Sequence, residues 1–201
     1  MKPNNRFHAS PRTIAFGVLA LLTLGLLAGC VLTSVYPYYT AKDLIFEPKL
    51  TGRWADLNKP GATNEFWEFA RPGTNTAYTL AVQDGDKPTT YRAHLFRLKD
   101  WTFLDVLPTE AGDSVPPHYL LKVTQFEPTL KMAVLDYKWV SELLAKQPGA
   151  LRHLLVEGEP GESDGGRLVI TADTVVLQKF ILKHAGDTNA FPESMNFVRQ
   201  P

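Results

Sequence analysis

Few residues in this chain have side chains and spacing suited to chemistry. Cys30 is the only cysteine among 201 residues, and it stands directly behind the small pair Ala28-Gly29. Residues 1–12 carry Lys2, Arg6 and Arg12 with no acid, and residues 14–28 are apolar apart from Thr23. A charged start, an apolar middle and small residues before the cut make a secretory signal with a cleavage site. Further on, His94, Asp105 and His118 fall on separate predicted strands. His118 within hydrogen-bond reach of Asp105 in a cleft is the arrangement that a hydrolase would need. A zinc ion would need three or four converging ligands. His153 and Glu157 have the spacing of one helical turn and read as a surface pair, and Asp84-Gly85-Asp86 reads as a hairpin turn rather than a calcium loop. Trp54, Trp67, Trp101 and Trp139 read as core aromatics, with the lining of a ligand cavity as the other reading. There is no Gly-X-Ser-X-Gly elbow, phosphate loop, dinucleotide fingerprint or His-Glu-X-X-His. The expectation is a non-catalytic protein with no catalytic, metal or cofactor-binding residue and no cofactor.

Leu27-Ala28-Gly29-Cys30 resembles the lipobox of bacterial lipoproteins. That resemblance implies a diacylglyceryl group on the Cys30 sulfur, cleavage just before Cys30 and acylation of the new amine. It also implies a domain tethered to the membrane of the cell envelope. Val31 is not the aspartate that goes with inner-membrane retention, so the outer membrane, facing the periplasm, is the expected location. The alternative is an uncleaved anchor, because residues 14–32 approach the length that spans a bilayer. Either way the basic end stays inside and the remainder is exported.

Without residues 1–29 the chain has 172 residues, with 18 Lys and Arg against 21 Asp and Glu. That is enough for one domain with its own core, expected over residues 44–201 behind a lipidated tether at 30–43. Nucleic-acid binding is excluded, since it needs clustered basic residues. With Cys30 consumed, stability must come from packing, to which four Trp, seven Tyr and eleven Phe contribute. Tyr36-Pro37-Tyr38-Tyr39 makes the tether stiff; its rings suit either the headgroup layer or the base of the domain.

The elements that must position these groups come next. Aromatic and β-branched runs divided by turn residues predict strands at 52–56, 64–70, 76–83, 89–98, 101–107, 118–127 and 130–137. The turns between them include Arg71-Pro72-Gly73, Asp84-Gly85, Lys99-Asp100 and Pro128-Thr129. The exception is a long loop, 108–117, with three prolines, read as a binding element or as a crossover between two halves of the sheet. Helical spacing follows at Trp139, Val140, Leu143 and Leu144, and continues through Leu151, Leu154 and Leu155. An acidic loop at 158–166 and a strand at 167–171 follow. A helix capped by Thr171 or Asp173 then runs to His184, and residues 195–199 make an edge strand or trail. The fold class is α+β, mainly antiparallel β: a meander of about seven to nine strands as an up-and-down barrel or curved sheet, with two helices in the C-terminal third.

Gly52-Arg53-Trp54 resembles the Gly-X-Trp opening of lipocalins, which implies a glycine that lets the first strand bend and a tryptophan that plugs the closed end of a barrel. Asp136-Tyr137 resembles part of a second lipocalin motif, with Leu135 where threonine is expected. The functional expectation is an envelope lipoprotein that binds an apolar small molecule or lipid, and a cavity of several hundred Å3 inside the barrel would support it. A filled interior favours the alternative, an interaction component that binds a protein partner of the envelope.

Overall fold

The computed structural model describes residues 32–59, 64–73, 76–85, 88–110, 115–156 and 167–201. Cys30, the signal segment, Asp86, Glu157 and the 158–166 loop lie outside them. The predicted meander forms. Strands β2 (Gly52–Asp56), β3 (Glu65–Ala70), β4 (Ala77–Asp84), β5 (Pro88–Leu98), β6 (Trp101–Pro108), β7 (His118–Gln125) and β8 (Thr129–Val134) pair in sequence, each antiparallel to the next. The eighth barrel strand, β11 (Glu193–Arg199), pairs antiparallel with both β8 and β2 and closes the ring. The result is an eight-stranded antiparallel barrel resembling that of lipocalins. Residues 195–199, expected at an edge or trailing, belong instead to the strand that leaves β2 and β8 without open edges.

Three shorter strands extend the sheet beyond β7. β1 (Thr33–Ser34) pairs antiparallel with β7 and parallel with β10 (Arg167–Ile170), and β10 pairs antiparallel with β9 (His153–Val156). Two helices follow the meander: α1 (Tyr137–Lys146) and α2 (Thr174–His184). Asp136 and Asp173 cap them, their carboxylates accepting from the backbone N–H of Trp139 (2.6 Å) and Val176 (3.0 Å).

Several sequence expectations need correction. Tyr137 does not end a strand but opens α1, so Asp136-Tyr137 is a helix start rather than a strand-end motif. Leu154 and Leu155 are on β9, not on a helical turn: α1 ends at Lys146, Pro148–Ala150 make one 3-10 turn, and the chain is extended from Leu151 and pairs with β10. The loop at 108–117 is no crossover, since β6 and β7 are directly paired neighbours. Residues 32–43, read as part of a tether, pack on the barrel, with Leu32 and Tyr38 only 3 % and 1 % exposed.

Two cores sit back to back. The bore is filled by Trp54, Phe69, Tyr78, Leu80, Leu95, Leu104, Leu130 and Phe197, all less than 8 % exposed. The outer wall of β5 to β8 carries a second core, where Phe96, Phe103 and Leu120 meet Tyr38, Val140 and Leu144 of α1, and Leu177 and Ile181 of α2. The middle of β6 and of β7 is therefore buried on both faces, whereas β4 alternates with one buried face. Among the described residues no helix is long and apolar enough to cross a membrane.

One charged residue enters the outer core. Lys122 is buried; its ammonium donates to the Ala185 carbonyl at 2.6 Å and lies 4.1 Å from the centre of the Trp101 ring. It thereby fastens the C-terminal end of α2 to β7, and burial pushes its pKa down. Lys122→Met keeps the apolar stem but loses the donor and the cation–π contact, so a loss of about 1–3 kcal/mol in urea unfolding is expected.

Candidate functional site

The register of three strands brings together the chemistry that the sequence left scattered. His94 on β5 is the cross-strand partner of Asp105 on β6. Asp105 is partnered in turn by Leu120 on β7, whose neighbour two residues back, on the same face, is His118. Asp105 is fully buried and uses both oxygens. Oδ1 lies 2.8 Å from His118 Nδ1, and Oδ2 accepts the backbone N–H of Tyr38 at 2.9 Å. A carboxylate accepts only, so Nδ1 of His118 carries the proton in this pair.

The strap formed by residues 37–43 lies over this cluster, and α2 holds it from outside. Thr174 donates to the Pro37 carbonyl at 2.8 Å, and Gln178 Nε2 donates to the Tyr38 carbonyl (3.1 Å) and to Asp43 Oδ2 (2.9 Å). Ser34, opposite His118 in the β1–β7 ladder, is fully buried, and its Oγ accepts from the Tyr36 N–H at 3.2 Å. The Tyr39 ring leans on His94 with centroids 4.6 Å apart. Two buried polar atoms here lack partners: His94 Nδ1, and the Tyr38 hydroxyl, which lies beside Ser34 without completing a hydrogen bond.

A groove of about 780 Å3 runs along the outer wall beside this cluster, lined by Leu44, Pro72, Ala77, Tyr78, Tyr91, Arg92 and His94 with four threonine hydroxyls, those of Thr76, Thr79, Thr90 and Thr109. Arg92 is exposed and forms no ion pair among the described residues. His94 therefore touches both the groove and the neighbourhood of Asp105. His118 and Asp105 are within hydrogen-bond reach, as a hydrolase requires, but neither lines the groove. Ser34, opposite His118, is sealed from solvent. Asp105 also ties the strap to the barrel by accepting from the Tyr38 N–H. No group of three metal-binding side chains occurs among the described residues, so His94, Asp105 and His118 do not form a metal site. His153 lies on a strand, which removes the helical spacing assumed for His153 and Glu157. Gly85 has φ +83°, the conformation a hairpin turn takes at Asp84-Gly85. Trp54 and Trp67 pack in the bore, Trp101 and Trp139 against the outer core.

The electrostatics set the pH limits of this packing. Burial pushes the His94 pKa below 6.5, and Arg92 adds to the shift while Asp105 opposes it. Protonation then favours the unfolded chain, so the contribution is complete above pH 6.5 and is lost as pH falls below it. Burial raises Tyr38, helped by the charge on Asp105, and by the same two causes Tyr39 is pushed up to about 12; Tyr78, Tyr91 and Tyr119 are also raised by burial. Raised phenols stabilise the fold below pH 10 and lose that effect as pH climbs past it. Urea midpoints measured across pH should decline on both sides of a neutral plateau. His94→Gln should make the acid limb shallower, leaving the remainder to His184, lowered by burial, and to Asp43, which burial pushes up but hydrogen bonds from Thr40 and Gln178 hold below its usual value.

His94, Asp105 and His118 were named from sequence as candidates, but Ser34, Tyr38, Tyr39, Gln178 and Arg92 were not. No spacing signal marks a backbone N–H as the partner of a residue so far along the chain. Compared with protein-family models, curated proteins and solved structures, the chain matches none of them.

Proposed function

We propose that this chain is a lipid-anchored protein of the cell envelope, acylated at Cys30, whose non-catalytic barrel domain binds a small amphiphile or lipid along the outer groove. One observation carries the binding reading: a groove of about 780 Å3, within the usual range for ligand sites, sets a few apolar side chains and four threonines beside Arg92, which forms no ion pair among the described residues. Leu44, Pro72 and Ala77 suit the apolar part of an amphiphile, and Arg92 suits an anionic end. The packed bore counts against the expected ligand inside the barrel and to that extent favours the alternative of a protein partner, so the ligand reading rests on the outer wall.

The test uses full-length protein extracted from membranes. Intact mass should show cleavage before Cys30 with acyl additions, both lost in Cys30→Ser; a mass beginning at Met1 without acyl groups would favour the uncleaved anchor. Native mass spectrometry should find a bound anionic amphiphile, and Arg92→Glu should weaken it by about 10-fold or more, the worth of a charge-assisted hydrogen bond. Equal occupancy in Arg92→Glu and wild type would sink the groove assignment. A second reading, a protein partner on the sheet, draws on the exposed edge strand β9, where Leu154 and Leu155 are 59 % and 63 % exposed.

A further inference from the structure

Nine large apolar residues are exposed among the described ones, and they are not scattered. Seven lie on three elements gathered around β10: Val35 and Tyr36 just after β1, Leu154, Leu155 and Val156 on the edge strand β9, where Leu154 and Val156 face one side of the strand and Leu155 the other, and Val175 and Val176 in the first turn of α2. Backbone pairing joins these elements. The Val35 N–H donates to the Ile170 carbonyl at 3.0 Å, and the Thr171 N–H donates to the Arg152 carbonyl at 2.9 Å. Thr174 Oγ1 ties the start of α2 to the Pro37 carbonyl. Monomeric proteins rarely expose contiguous apolar surface of this kind without a use for it.

The position of the patch relative to Cys30 selects its occupant. Thr33 is paired with Val169, which is paired with Leu154, so one ladder leads from the N-terminal strand to the exposed edge. Two strand spacings amount to about 10 Å. Cys30 precedes Thr33 by three residues, and three residues reach at most about 11 Å. Acyl chains on Cys30 would therefore enter the bilayer within a few strand widths of β9. Arg152, immediately before β9, and Arg167, at the start of β10, are both exposed and set beside the apolar run, where guanidinium groups meet lipid phosphates.

We infer that the β9 edge, with Val35, Tyr36 and the first turn of α2, is the face that the domain rests on the lipid surface, as a contact separate from the acyl anchor. This rests on the acylation of Cys30 proposed above. Chain length keeps the anchor within about 11 Å of Thr33, and the 37–43 strap, pinned to Asp105 and to α2, leaves the domain little freedom to turn away. Tyr36, half exposed, suits the headgroup layer.

The test exploits the single cysteine. Full-length, processed protein carrying Leu155→Cys or, as a control, Val115→Cys is labelled with a polarity-sensitive fluorophore and reconstituted in phosphatidylcholine vesicles containing nitroxide-bearing acyl chains. Intact mass of the same sample reports whether Cys30 is acylated. The expected result is a blue shift and nitroxide quenching at position 155, with neither at position 115. Acylated protein with a water-exposed probe at 155 would overturn the membrane contact while leaving the anchor intact. An unacylated mass would overturn both. Shielding at 155 that appears only with envelope protein extract, and not with lipid, would overturn the contact in favour of a protein partner.

Discussion

Asp105→Ala should lower the stability of the domain by about 3–5 kcal/mol, because it removes one member of a buried, hydrogen-bonded polar cluster and leaves the others without partners. The carboxylate is wholly inaccessible and serves two donors, His118 Nδ1 and the Tyr38 N–H. Each orphaned donor costs about 1–3 kcal/mol on its own. Asp105→Asn should cost less than the alanine change. An amide has one acceptor oxygen, and His118 can move its proton to Nε2 so that Nδ1 accepts from the amide nitrogen. Urea unfolding orders the three proteins, and amide exchange at Tyr38 reports whether the strap has come loose. If Asp105→Ala unfolds like the wild type, the cluster does not hold the strap. If Asp105→Asn keeps full stability while some hydrolytic activity of the wild type disappears, the non-catalytic reading falls.

Trp54→Ala should be comparably damaging, at about 3–5 kcal/mol, the cost of deleting a large core aromatic. Trp54 is fully buried at the end of the bore, and its Nε1 donates to the Leu50 carbonyl at 2.9 Å. The Arg199 guanidinium lies 4.4 Å from its ring centre and donates to the carbonyls of Thr51 (2.6 Å) and Lys49 (2.5 Å). The ring thus joins the first barrel strand to the last, through the cross-strand pair of Trp54 and Arg199. Gly52 makes the approach possible: its φ is +115°, and a Cβ there would come within 2.6 Å of Arg199 Nη1. Trp54→Phe should fall between wild type and alanine, since it keeps most of the volume but strands the Leu50 carbonyl. Calorimetry or urea unfolding would show the order, and a wild-type midpoint for Trp54→Ala would mean that closure does not depend on the ring.

Strands β2 to β8 were legible because each pairs alternating apolar residues with a turn of recognisable type, and the two helices were legible from their apolar stripes, α2 also from its cap at Asp173; the cap of α1, Asp136, was read as the end of a strand. β11 was not, since its place comes from the unpaired edges of β2 and β8, which exist only once the meander has curled. The end of α1 was misread beyond Pro148 because Leu154 and Leu155 have apolar spacing that suits a helix or a short strand, and pairing with β10 decided it. At the site, the residue types were visible and their convergence was not. His94, Asp105 and His118 share a face only because the Lys99-Asp100 turn sets the β5–β6 register and the β6–β7 ladder follows it. A slip of one residue would turn Asp105 into the bore.

By itself the amino-acid sequence determined an antiparallel meander with a glycine and a tryptophan at its start, two helices behind it, the second with its cap, and a basic-then-apolar N-terminus ending in a single cysteine. Those are local properties, written in periodicity, turn chemistry and residue type. Tertiary structure alone decided that β6 and β7 are buried on both faces at their middle, that the bore is packed while a groove opens on the outer wall, and that Asp105 holds the N-terminal strap. The physical reason is that alternation along a strand records one buried face, whereas burial of the second face depends on which distant helix, strand or strap comes to lie on it.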